Sequence, residues 1–368
     1  LLFVLVGALI FAPYLVLGLV FSASVLQNEE VRAGENSGFG TTRGLAEGTP
    51  DINVPFVKTI RNRANNLATG ILSGSRSREG PPDTGGKGYS NADEPGERDL
   101  CVGMAVGITT AQLVTFVASF REASPLAELV LFVDAQQSDR FKEIVARYSA
   151  VVLEIDRERI EPEYLRHYHP SSARWVLIQR FLDVKGSDYE RVLMVDAGET
   201  FFQADPFDII GDPGMYLFME DKSISESATC SGWIKGCLGS SALAEVAHQK
   251  VTHSTIVLGT SSFAVEYARQ MSQGLLSADF QACESAGVDN GLHNYLLYTS
   301  GGEGVLRFDQ FSGPVIDVEA NMYMRVGLRV SNLDGREVPI VHRYLGDADF
   351  QADIFRRYVY RSKEKCVI

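Results

Sequence analysis

The sequence has no dense run of lysine or arginine, no Asn-x-Ser/Thr sequon, no His/Cys spacing of the zinc-binding kind and no repeat of fixed period. With 34 Lys+Arg against 47 Asp+Glu, the formal net charge is −13. Such a chain has no general attraction to a phosphate backbone, which argues against nucleic acid as a partner. An anionic ligand would have to be held locally, by a metal ion, by helix N-termini or by a few placed arginines. Without a sequon, N-glycosylation is not expected. The 368 residues are 45% hydrophobic and 22% charged, which excludes both wholesale disorder and a polytopic membrane protein. A chain of this length can bury a sizeable core.

Three unlike segments follow one another. Leu1 to Leu26 carries no charge and is dominated by Leu, Val, Phe, Ala and Ile. About 20 apolar residues span a bilayer, so this segment is expected to be one transmembrane anchor. A secretory signal peptide is the alternative, because Ser22, Ala23 and Ser24 supply small residues of the cleavage-site kind. Both readings send the rest of the chain into the secretory pathway. Residues 27–100 are rich in Gly, Ser, Asn, Pro and charged residues, and read as a disordered stem with one short helix over 57–72. The stem holds nine Lys/Arg and eleven Asp/Glu, a balance of −2, so the acidity belongs to residues 101–368.

From Cys101 onward, short β-type runs alternate with amphipathic stretches. Val102–Val106, Leu129–Val133, Val151–Ile155 and Val192–Val195 are expected strands. Between them, Gln112–Glu122, Asp139–Tyr148 and Ser172–Val184 are expected helices, the last capped by Ser171 or Ser172. This order predicts a Rossmann-type α/β fold: a mixed, mainly parallel sheet with helices on both faces. Ligands of such sheets bind beyond the carboxyl ends of the strands, where strand order reverses. After Pro206, strands are expected at Met215–Met219, Ile256–Leu258 and Val338–His342, and helices at Ser262–Gln273 and Asn290–Tyr298.

The strongest local signal is the hydrophobic strand Arg191-Val-Leu-Met-Val that runs into Asp196, with Glu199 three residues on and Gln203-Ala-Asp-Pro-Phe207 after it. Carboxylates at a strand end can hold a divalent cation, which can bridge diphosphate oxygens. Read by itself, Asp196 would cap a turn and Glu199 would be solvated.

Four further blocks extend the pattern: Met104-Ala-Val-Gly107 with its helix, Ser254-Thr-Ile-Val-Leu-Gly-Thr260, Gly287-Val-Asp-Asn-Gly-Leu-His-Asn-Tyr295, and Ile340-Val-His-Arg-Tyr344. In this order they resemble the nucleotide-diphospho-sugar transferases of the GT-A fold, nearest to an algal and plant family with an Asp-x-Arg-Asp-Val-x-Phe-Gln signature. The resemblance covers most of residues 101–368. It implies a metal-dependent glycosyltransferase anchored in the Golgi or endoplasmic reticulum membrane with its catalytic domain in the lumen. Its partners would be a nucleotide-sugar donor and a glycan or protein acceptor. It further implies that Asp196, Glu199 and His342 ligate Mn²⁺ or Mg²⁺, and that Asp289 and Asn290 orient substrate hydroxyls as catalytic residues. Ala105, Gly107, Thr109, Arg174, Ser254 and Gly259 would line the donor site. The chain departs from the pattern where Gly198-Glu199 replaces Arg-Asp, Asp289-Asn290 replaces Asp-Gln, and Thr255 replaces Gly.

Ordinary explanations stand beside these roles. A lone His at a strand end is more often structural, Asp289 suits the N-cap of the helix after it, and Arg174 could simply be solvated. The five cysteines, at 101, 230, 237, 283 and 366, would meet an oxidising lumen, with Cys230 and Cys237 the expected disulfide. Two rival functions share the same residues. One is a nucleotide-sugar-binding protein without turnover. The other is an aspartyl-nucleophile phosphatase, suggested by Asp196-Ala-Gly-Glu-Thr200, in which Gly198 stands where the second acid belongs.

Overall fold

The computed structural model describes residues 98–360 except 138, 285–287, 301, 303 and 321. The expected anchor at 1–26, the stem through 97 with its short helix at 57–72, and Cys366 lie outside the described residues. Among the described residues, no helix is long and apolar enough to cross a membrane.

The first half is a βαβ succession: β1 (Arg98–Ala105), α1 (Thr110–Ala123), β2 (Glu128–Asp134), α2 (Asp139–Arg147), β3 (Val151–Ile155), α3 (Pro170–Lys185) and β4 (Tyr189–Asp196). These elements agree with the expected ones to within a few residues. β1 begins three residues before Cys101, inside the stretch read as stem. α3 begins earlier than its serines suggested: Pro170 occupies the first turn, and the imidazole of His169 accepts from the Ser171 amide.

The second half adds β5 (Thr200–Phe202), β6 (Met215–Ser223), α4 (Ala228–Val246), β7 (Lys250–Thr252), β8 (Ile256–Thr260), α5 (Ser261–Leu275), α6 (Ala278–Cys283), α7 (Asp289–Thr299) and β9 (Val305–Phe308). It closes with β10 (Val315–Asp317), β11 (Met324–Val326), β12 (Arg329–Ser331), β13 (Ile340–His342) and α8 (Ala348–Phe355).

The central sheet runs β3-β2-β1-β4-β8-β6-β7, with β9 beside β6. β1, β2, β3 and β4 pair in parallel, as do β6 and β9, while β8 is antiparallel to both neighbours. The fold is therefore α/β with a mainly parallel central sheet, as expected from the sequence. The period-two alternation of β1 shows how both faces are covered. Leu100 and Val102 pack with Trp175, Ile178, Ala268 and Leu292 on one face. Cys101 and Ala105 pack with Phe116, Phe120 and Phe141 on the other. Strand order reverses between β1 and β4, so the ends of these two strands open the crevice where ligands of such folds bind. A smaller sheet, β10-β13-β5, branches from the same place, because β5 begins four residues after Asp196.

The cysteine expectation is corrected. Cys237 bonds Cys283, with Cα atoms 5.5 Å apart, while Cys230 is a buried free thiol. Cys230 and Cys237 lie seven residues apart on α4, not across a loop. At 1.5 Å per residue that is about 10 Å, beyond disulfide reach. Gly232, Gly236 and Gly239 disguise this helix in the sequence, since glycine is a poor helix former. The bridge ties α4 to α6 across 46 residues of chain. Replacing Cys237 and Cys283 together by serine is expected to cost about 2–4 kcal/mol, read as a lower midpoint in urea unfolding.

Candidate functional site

β4 delivers Asp196 to the sheet's carboxyl edge, opposite Met104 of β1. One Asp196 carboxylate oxygen accepts from the Gly198 amide at 2.7 Å, a local turn that fixes the side chain. The other lies 3.8 Å from a guanidinium nitrogen of Arg174. A side chain at position 198 would meet Ile108 Cγ2 at 2.9 Å and Asp196 Oδ1 at 3.2 Å. Any side chain there would have to displace Ile108 and the Asp196 carboxylate. Gln112 fastens the same turn by donating to the Gly198 carbonyl at 2.9 Å.

Arg174 is buried, contrary to a solvated reading, with only 3% of its surface exposed. It donates to Asp289 at 3.0 Å and to the Ser254 carbonyl at 2.9 Å. The same Asp289 oxygen accepts from Trp175 Nε1 at 3.2 Å and from the Ser254 hydroxyl at 3.1 Å. Asp289 therefore does not cap α7. It is the first residue of that helix, and Val288 stands at the cap with no side-chain bond. Its acceptor capacity goes inward because Arg174 is a buried charge that needs a counter-ion. Asn290 accepts from the Ser254 amide at 3.3 Å, so the Arg174, Ser254, Asp289 and Asn290 positions form one network.

The other expected donor-site residues are placed differently. Ala105 is buried, and its methyl belongs to the core. Gly107 lies in the exposed loop after β1, with φ of 76°. Thr109 is the N-cap of α1 in a reciprocal capping box with Gln112. Gly259 sits mid-strand, where a Cβ would come within 2.7 Å of Met215 Sδ and 2.9 Å of the Gly214 carbonyl, so close strand approach explains it.

A second cluster was missed by the sequence reading. Among the described residues, Glu220, His253 and Asp317 form a group whose ligand atoms all lie within 4.8 Å of one another, enough to hold a metal ion. His253 Nδ1 is 3.6 Å from Glu220 and 3.5 Å from Asp317, and its Nε2 is buried with no hydrogen-bond partner. This group shares no residue with the expected Asp196, Glu199 and His342 set, yet the two interleave. In register, Asp317 pairs with His342 and His342 with Thr200. The His253 and His342 rings are 6.3 Å apart.

Electrostatics joins the two sets. Burial foremost, then the charges of Asp196 and Glu319, raise the Glu199 carboxyl above the usual carboxylate range. Burial pushes His342 down to about 4, against the opposing pull of Asp317 and Asp196. His342 is thus neutral at physiological pH, and its Nδ1 lies 3.0 Å from the Thr200 hydroxyl. Burial of Asp317 would raise its carboxyl, but His253, His342 and Arg343 together hold it below the usual range. Arg343 adopts a left-handed conformation, φ 50° and ψ 37°, uncommon for a long side chain. From there its guanidinium meets Asp317 at 2.6 Å and Glu319 at 3.2 Å, with Glu220 at 3.8 Å.

A signal for Asp317 was present in the sequence: Val315-Ile316-Asp317 repeats, in miniature, the hydrophobic strand ending in an acid that singled out Asp196. His253 follows Val251-Thr252 in the same manner. Glu220 offers no such signal, because it lies inside a strand that continues to Ser223.

A pH prediction comes from His293 of α7, fully buried beside Tyr267. Burial foremost, then the charges of His253 and Arg174, lower it to about 3. The unfolded chain takes up this proton near pH 6.5 and the folded chain only near 3. Between those values the unfolded state binds more protons, so stability falls as pH falls, by up to about 1.4 kcal/mol per pH unit for this group. Urea midpoints measured from pH 7 to 4 are expected to fall less steeply in His293→Gln than in the parent chain.

No protein-family model matches the chain, and no curated protein matches it either.

Proposed function

We propose that the domain is a GT-A-like glycosyltransferase that moves a sugar from a nucleoside-diphosphate donor to a glycan or protein acceptor with the help of a divalent cation, Mn²⁺ or Mg²⁺. One observation carries the reading: five carboxylates, Asp196, Glu199, Glu220, Asp317 and Glu319, converge at the carboxyl edge of a mainly parallel sheet beside its strand-order reversal. Among the described residues, Arg343 pairs with Asp317, Glu319 and Glu220, while Arg174 bonds Asp289 and also lies 3.8 Å from Asp196, so two guanidinium groups face five carboxylates. The surplus negative charge fits a divalent ion; the Glu199 carboxyl is raised by burial first and by the charges of Asp196 and Glu319 second.

Oxygen donors with one or two imidazoles suit Mn²⁺. Glu220, His253 and Asp317 would hold the ion, and Asp196, Glu199 and His342 are the further donors that the sequence pattern offers. Because Arg343 already takes both oxygens of Asp317, the ion would share that carboxylate with the guanidinium. When bound, such an ion neutralises charge that develops on the departing nucleoside diphosphate.

The chain's own residues supply position. The turn at Gly198 aims Asp196, and Gln112 holds that turn against the loop after β1. Arg174 and Asp289 brace each other, so the Ser254 and Asn290 groups beside them are set before a substrate arrives. Positioning of this kind provides much of the rate gain in group transfer. The retained membrane anchor and a luminal location in the Golgi or endoplasmic reticulum complete the proposal.

The test is a panel of nucleotide sugars assayed for diphosphate release with and without Mn²⁺. Release from one donor class that requires the ion is the expected result. Cation-dependent binding without release would support the non-catalytic reading instead, and hydrolysis of simple phosphate esters the phosphatase.

A further inference from the structure

A cleft of about 400 Å³ opens at the edge of the central sheet, lined by Met219, Lys250, Leu297, Tyr298 and Arg307, none of which belongs to the acidic cluster. Its charge is opposite to that of the chain, which carries −13 overall. Arg307 has no carboxylate partner among the described residues. Its guanidinium lies over the Tyr298 ring at 5.2 Å, and one nitrogen reaches the Leu297 carbonyl at 3.5 Å. Gly302 has φ of 55°, and a Cβ there would lie 3.1 Å from an Arg307 nitrogen, so the glycine makes room for the guanidinium. Lys250 stands across the cleft and meets Asp221 at 3.3 Å. The Tyr298 hydroxyl donates to the Lys250 carbonyl at 2.6 Å, which joins the two walls.

An exposed guanidinium resting over an aromatic ring, with one nitrogen on a backbone carbonyl, retains further N–H donors of the fork that matches a carboxylate or phosphate. The lining is mainly polar, as a hydroxyl-rich ligand requires, with a smaller apolar part from Met219 and Leu297, and the volume suits one monosaccharide. We infer that this cleft is a binding site for an oxyanion-bearing monosaccharide unit, a uronate or a sugar phosphate, separate from the acidic cluster. Arg307 pairs with the anion and Lys250 adds charge.

Side-chain alternation separates this cleft from the acidic cluster. Met219 pairs with Thr252 across β6 and β7, and Lys250, two residues from Thr252, shares its side of the ribbon, whereas Glu220 gathers with His253 and Asp317. The cleft nonetheless connects to the network around Arg174. Leu297 and Tyr298 end the helix that Asp289 begins, and Asn294 of that helix is bonded to the Thr252 backbone at 2.8 Å and 3.0 Å. The inference does not depend on the transferase reading.

The experiment is calorimetric titration of the full chain with glucuronate, glucose 6-phosphate, inorganic phosphate and glucose. Expected is saturable binding of glucuronate and glucose 6-phosphate, weakened by added salt, with none for glucose. Arg307→Gln is expected to weaken both by about tenfold or more, Arg307→Lys by less, and Asp196→Asn to leave them unchanged. Thermal melts of the variants that match the parent show that the fold is intact. Should Arg307→Gln melt early, Lys250→Gln provides the second reading, with a smaller expected loss. Equal affinity in parent and variants, absence of saturable binding, or binding of inorganic phosphate without either sugar would overturn the assignment.

Discussion

Asparagine in place of Asp196 is expected to lower Mn²⁺-dependent release of the nucleoside diphosphate by at least about 100-fold, the scale seen when one group that stabilises developing charge is removed. The fold should tolerate the change. Asp196 is partly exposed, its main hydrogen bond is the turn to the Gly198 amide, and an asparagine oxygen can accept that bond equally well. The thermal melt should therefore shift little while turnover collapses. His342 behaves differently: it is buried and paired with Thr200, so His342→Ala would disturb stability as well as chemistry. Asp196 is for this reason the cleaner probe of the reaction. Donor hydrolysis that survived Asp196→Asn at the parent rate would remove this residue from the mechanism.

The second large effect is on stability. Asp289→Ala strips the nearer counter-ion from a guanidinium that is almost wholly buried, leaving only Asp196 at 3.8 Å, and at the same time orphans Trp175 Nε1 and the Ser254 hydroxyl. Breaking one side of a buried pair costs about 3–5 kcal/mol. For a domain of this size that corresponds to a melting temperature lower by roughly 6–20 °C. The double variant Arg174→Met/Asp289→Leu removes both charges and is expected to recover most of the loss. A double variant as unstable as Asp289→Ala alone would mean that shape, not the unpaired charge, dominates the position.

These two residues also show what could be read from the amino-acid order and what could not. β1 to β4 were legible because each is a short apolar run between turn signals, with helix-length stretches between them, of which α2 is the clearly amphipathic one. Asp196 was legible for a related reason: an acid that ends a buried strand must sit at a sheet edge. Asp289 was recognised as a site residue but given the wrong local task, because a preference for N-caps is a local rule, and the buried Arg174 that overrides it is 115 positions away. The Cys237–Cys283 bridge was hidden by glycines that made a helix look like a loop. The Glu220, His253 and Asp317 group went unread because its members come from a central-sheet strand, the residue just after a second strand and the end of a strand in the smaller sheet, which meet only in the fold. Arg343 was invisible as its partner, since the left-handed turn that aims it has no glycine or asparagine to announce it.

The metal question is settled most directly by Mn²⁺ titration followed by electron paramagnetic resonance, on the parent chain and on His253→Gln and Asp196→Asn. The cluster described above predicts one tightly held ion per chain with nitrogen hyperfine coupling, the coupling altered in His253→Gln and the affinity lowered about tenfold or more in both variants. A parent chain that binds no Mn²⁺, or one whose bound ion is indifferent to both substitutions, would contradict it.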